Sequence, residues 1–141
     1  MEKREEEQYH KLLYYTLSLS DKAFIHQHAV DAFAAQTANE NTKSIAITFS
    51  LVGLYLYLEK NYTGREVQQA HTEMAKNKKQ WPTFTLPKHR GDITISDVLS
   101  VPPGLERDTM INKWCSSVWL AYKECRQMVI ELVLVELGVA K

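Results

Sequence analysis

Proline is nearly missing from this chain: the four present, Pro82, Pro87, Pro102 and Pro103, fall together and none precedes them. Everything before Pro82 is therefore free of the residue that most often breaks helices. Cysteine is equally scarce, and two cysteines in 141 residues make no disulfide framework and fit a reducing cytosol. Neither sign of charge is in surplus, because 17 Lys+Arg against 17 Asp+Glu leave a formal net charge of zero at pH 7. No global field then draws the chain to nucleic acid or to an anionic membrane. No uncharged run exceeds Ser44–Leu58, short of the ~20 residues of a membrane span. The charged opening MEKREEEQYH lacks the apolar stretch of a secretory signal. There is no Gly-rich phosphate loop, no CxxC pair and no nucleophile-elbow pentapeptide, so the familiar catalytic signatures are excluded. What remains is the expectation of a soluble, cytoplasmic, single helical domain over residues 1–141, ordinary in size for one core.

Apolar periodicity supplies the rest of the fold. Tyr9, Leu12, Leu13, Thr16 and Leu17 recur at helical spacing, and Ser20-Asp21 reads as the start of a second helix through about Asn39. A third is expected from about Thr42 to Lys60. Thr63-Gly64-Arg65-Glu66 matches a capping box and opens a fourth to about Lys79, with Lys76, Lys78 and Lys79 in its last turn against the helix dipole. Residues 80–103 break the pattern. Ile93, Thr94 and Ile95 are expected as a scrap of strand, Ser96 as a cap for one short turn, and the remainder as an irregular segment draped over the bundle. Gly104 opens the last helix, whose apolar stripe from Ile111 to Leu132 persists to Leu137. At 1.5 Å per residue it would run roughly 50 Å, so a bend, or an end packed on a second copy, is expected. The fold class is an all-α compact bundle of about five helices with a long C-terminal helix.

Asp31 is the one formal charge between Lys22 and Glu40. Phe24, Ile25, Ala29, Val30 and Phe33 spread around most of that helix, which marks it as central. Gln27, His28 and Asp31 share one arc, since residues three and four apart are neighbours on a helix. A carboxylate there must pair, bind metal or take up a proton. His71, on the apolar stripe of the fourth helix with Val67, Ala70 and Met74, points inward as a possible partner. Three outcomes stay open: a satisfied polar bridge that fixes helix register, a divalent metal held by His28, Asp31 and His71, or a small-molecule pocket built from the same residues. His26 lies about 160° around the helix from His28 and cannot join it on one ion in a regular helix. Cys115 belongs to the core, and Cys115 and Cys125, ten residues apart on one helix, are too distant to bond. Ala46, Ser50 and Gly53 on the third helix are small enough to admit a neighbouring backbone.

From Met74 to Gly91 there are five cations (Lys76, Lys78, Lys79, Lys88 and Arg90) and no acid, with Trp81, Phe84 and His89 interleaved. Cations with aromatics are the composition of single-strand binders, but Glu73 and Asp92 bracket the run, and Trp81 and Phe84 are expected to anchor the segment instead. Nucleic acid is thus an unfavoured partner.

The strings FIHQHAVDAFAAQ, LVGLYLYLEK, TGREVQQAH, WPTFTLP and ERDTMINKWCSSVW, in this order and spacing, resemble a bacterial domain family of unknown function, over about Tyr9 to Trp119. The resemblance implies a compact bacterial cytosolic domain and draws attention to His26, Gln27, Asp31, Gly64, Gln68, His71, Trp81 and Pro82. It also implies that a His often stands where Tyr57 stands here, so that a third-helix ligand is missing, which counts against a shared metal site.

These readings give a first expectation of a binding or assembly module, dimeric through the C-terminal helix, with ligand-binding candidates at His26, Gln27, His28, Asp31, His71, Trp81, His89 and Arg90. A metal-dependent hydrolase with His28, Asp31 and His71 as ligands, and His89 or Arg90 meeting an anionic substrate, is the alternative. Weak single-stranded nucleic-acid binding through residues 76–90 is the second.

Overall fold

The computed structural model describes residues 3–19, 21, 23–77 and 80–140. They form seven α-helices: α1 (Lys3–Ser18), α2 (Ile25–Thr37), α3 (Ser44–Lys60), α4 (Gly64–Asn77), α5 (Ile95–Ser100), α6 (Leu105–Ala121) and α7 (Arg126–Leu137). No strand forms among the described residues, so Ile93–Ile95 are not the expected scrap of sheet. The all-α bundle stands, with seven helices where about five were expected. Both additions have local causes. In the 80–103 segment α5 is a short helix opened by a reciprocal capping box between Thr94 and Asp97, not by Ser96. The expected long last helix is broken by a tight 3-10 turn at Lys123–Cys125 into α6 and α7, which is the anticipated bend.

The central helix α2 packs on α1, α3, α4 and α6 and buries seven of its residues, Gln27, His28 and Asp31 among them. It starts at Ile25 rather than near Asp21. Phe24 sits in the left-handed region at φ 50, costly for a bulky side chain, and there the helical path ends. Ser20 lies outside the described residues. The neighbouring chain holds this corner: Gly64 N–H donates to the Ala23 carbonyl at 2.5 Å, and Arg65 lies over the Phe24 ring at 3.7 Å. A Cβ on Gly64 would meet the Phe24 carbonyl oxygen at 1.8 Å, so only glycine permits the approach. The capping box that opens α4 is present, with Thr63 N–H on Glu66 at 2.9 Å and Glu66 N–H on the Thr63 hydroxyl at 3.2 Å. Lys76, in the last turn, pairs with Glu73; Lys78 and Lys79 lie outside the described residues.

The segment from Gln80 onward is draped over the bundle as expected. Phe84 is buried, and Trp81 meets Phe49 edge-on at 5.1 Å. Gln36 holds the middle of the segment: its amide nitrogen donates to the Arg90 and Ile93 carbonyls, and its oxygen accepts from the Trp114 indole. Apolar side chains from all seven helices and from Phe84 join one buried cluster with Trp114 and Tyr122 fully inside. No described helix is long and apolar enough to cross a membrane.

Candidate functional site

Asp31 is 3% exposed and His28 1%, one turn apart on α2 at the meeting of four helices. Gln27, a turn earlier, donates its amide to Asp31 Oδ1 at 3.1 Å. Asp31 Oδ2 is enclosed and has no hydrogen-bond partner. It lies against α3, where a Cβ on Gly53 would come within 1.9 Å of it. The small residues of α3 were expected to admit a neighbouring backbone; what Gly53 admits is this carboxyl. With no cation beside it among the described residues, burial holds the Asp31 pKa well above the usual carboxyl range, opposed only in part by the Gln27 bond. Of the three fates open to a buried carboxylate, taking up a proton is the one this environment favours.

His28 is neutral for the same reason with the opposite sign. Burial pushes its pKa down to about 4, against a smaller upward pull from Asp21. Its ring stacks on Tyr57 with centroids 3.5 Å apart and planes 8° from parallel, and its Nδ1 is enclosed without a partner. Tyr57 in turn accepts a hydrogen bond from Asn112 at 2.7 Å. Beneath, the Cys115 thiol donates to the His28 carbonyl at 3.5 Å. Complete burial raises its pKa, so it is an inert core thiol. From α1, Tyr9 stacks on Phe33 at 4.0 Å, and Asp31 adds to the burial that raises its hydroxyl pKa. The site is thus a buried set of polar groups whose surroundings disfavour charge, with Tyr57 stacked on His28.

The other candidates lie elsewhere. His71 does not join Asp31. Its Nε2 donates to the Phe49 carbonyl at 2.8 Å, and the two residues meet only indirectly, at one turn of α3: Asp31 at Gly53, His71 at Phe49. Trp81 packs on the same Phe49. His26 faces α1, away from His28 as the helical angle required, with Nδ1 at 2.9 Å from the Thr16 hydroxyl. That hydroxyl donates to the Leu13 carbonyl, so His26 Nδ1 carries the hydrogen in this contact. His89 is an exposed partner of Asp92 at 2.8 Å. Arg90 spends its guanidinium on the Pro87 and Ala38 carbonyls, capping the end of α2. Among the described residues no three His, Cys, Asp or Glu side chains come together to hold a metal ion, so the expected set of His28, Asp31 and His71 is not assembled as a metal centre.

Sequence reasoning passed over Tyr9, and over Cys115 and Tyr57 as neighbours of His28. It also missed Arg107, a buried cation whose guanidinium binds the Leu99 and Val101 carbonyls and lies over Tyr15 at 4.9 Å. The one legible signal was Gly53, a glycine inside an apolar helix, which marks a close approach.

No curated protein and no solved structure matches the chain significantly. A family model does, over residues 6–123, a span that holds α2, α3, α4 and the whole polar set and stops short of α7. The chain belongs to DUF5946, a family of unknown function.

Proposed function

We propose that this chain is a binding and assembly module of the cytoplasm, a single helical domain that takes a small neutral polar ligand at Asp31 and His28 and pairs with a second copy through α7. The observation that carries the binding reading is that Asp31 Oδ2 and His28 Nδ1, a turn apart, are both enclosed and both without a partner. An unmet buried polar group costs about 1–3 kcal/mol, and such groups persist where another function requires them. A protonated Asp31 donates, and a neutral His28 accepts or donates by tautomer. A hydroxyl or amide group satisfies both, whereas an anion or cation gains no opposite charge there. Tyr57 stacks on His28 and both members of the pair are buried, so entry requires surrounding side chains to swing aside.

The assembly reading rests on the edge of α7, where Val135 is 75% exposed beside a groove of about 470 Å³ floored by Leu132 and walled by Trp81, Pro82 and Met128. Native mass spectrometry of gently purified protein tests both parts. The expected spectrum shows a dimer carrying a small-molecule adduct that Asp31→Ala abolishes. An adduct-free parent, with Asp31→Asn and Asp31→Ala variants that are adduct-free as well, leaves the pair a purely structural bridge. A monomer throughout removes the assembly.

A further inference from the structure

The break between α6 and α7 leaves a notch whose composition differs from the surface around it. Where the 3-10 turn at Lys123–Cys125 ends α6, the helix end, the start of α7 and the end of α3 enclose about 370 Å³. Its apolar part is Leu58, Trp119 and Leu120. Leu120 is 69% exposed and also borders the adjoining depression beside Ser117 and Ala121. It is a large apolar side chain that no packing within the described chain accounts for.

Three charged residues line the same notch: Glu59, Lys123 and Arg126. Glu59 is fully occupied. One oxygen accepts from the Trp119 indole at 2.7 Å and from Arg126 Nε at 2.9 Å, and the other from Arg126 Nη2 at 2.6 Å. These bonds hold its pKa below the usual carboxyl value, so it stays an anion already matched by Arg126. The remaining amino group of Arg126 makes no bond among the described residues. Lys123 makes no ion pair among them either and borders both depressions. The balance of the notch is one uncommitted positive charge beside an apolar, aromatic-edged floor.

We propose that this notch is a binding site for a small flat carboxylate, its ring on Leu58, Trp119 and Leu120 and its carboxylate toward Lys123 and the free edge of Arg126. The size suits a molecule of one or two rings, at the lower end of ordinary ligand pockets. An apolar body set beside an unspent cation selects an amphipathic anion over either a neutral ring or a bare ion. The site is separate from the Asp31 core and independent of it, since none of its lining residues contacts Asp31 or His28 through any bond described above.

Titration of the full-length protein with 2-naphthoate, followed by amide NMR, tests the assignment. The expected result is saturable shifts at Leu58, Glu59 and Trp119–Lys123, with a Kd below about 1 mM. Lys123→Ala, a change at an exposed position, is expected to weaken binding about threefold or more while leaving the remaining spectrum unchanged. The neutral probe 2-naphthylmethanol is expected to bind at least about threefold more weakly than the acid. No saturable shift at these residues overturns the proposal. Equal binding of acid and alcohol overturns it as well, and so does a Lys123→Ala variant that binds like the parent, because either result leaves only a greasy surface.

Discussion

Asp31 and His28 pull the pH dependence of stability in opposite directions. A group whose folded pKa is raised binds more protons folded than unfolded, so the stability it contributes is present at low pH and lost as pH rises. Asp31 is that case, and its loss runs from the ordinary carboxyl range up to its own raised value. His28, lowered from 6.5 to about 4, contributes stability above pH 6.5 that disappears as pH falls through about 4, about 3 kcal/mol in all. Asp31→Asn keeps the shape of the protonated acid and its bond to Gln27 but cannot ionise. Urea unfolding across pH 4.5–8.5 is expected to show the alkaline decline vanish in this variant while the acid-side fall remains. A parent and variant with parallel profiles would mean that Asp31 is ionised in the fold. The Gly53 contact gives a second check. Gly53→Ala alone is expected to cost about 1–3 kcal/mol by overpacking, and much less in an Asp31→Ala background, where the modest helical preference for Ala can show. The coupling, not either single value, reports the contact. That Asp31 is buried was legible from a lone charge in an apolar helix. That its carboxyl is pressed on Gly53, in surroundings that favour the protonated form, was not, because periodicity tells which face a residue occupies and not what stands opposite.

At the scale of elements, the cues that proved legible were those in which a residue acts on its own neighbours. The Thr63–Glu66 capping box is such a case, and Thr63→Ala is expected to cost about 1 kcal/mol in thermal or urea unfolding, with the loss felt first at the start of α4. The start of α2 was misread because its cause is remote: the approach of Gly64 and the guanidinium of Arg65 hold Phe24 in the left-handed region, and neither is near it in sequence. Arg90 shows the same limit. Its cationic neighbourhood suggested an anion, yet its donors close the end of α2. The α6–α7 break carries no proline or glycine to announce it, only a length too great for the bundle.

For the whole molecule, a low charge is the shared theme, with a formal net charge of zero for the chain and a polar centre whose burial disfavours charge. Assembly then falls to apolar surface. If α7 joins two copies, Val135→Lys is expected to shift sedimentation from dimer to monomer while leaving the melting temperature of the monomer nearly unchanged, since Val135 is largely exposed. A parent that already sediments as a monomer at high concentration would rule the dimer out. The family match ends before α7, so the α7 side of this surface lies outside the matched residues, while Trp81, Pro82 and the polar core lie within them. The three indoles, finally, grade the molecule by depth. Trp114 is sealed and hydrogen-bonded to Gln36, Trp119 lies under the α6–α7 notch, and Trp81 sits at the outer edge on Phe49. Native emission is therefore a composite of dry and wet fluorophores. A variant retaining only Trp114 would emit at the blue end and resist quenching by iodide until the centre of the bundle itself opens.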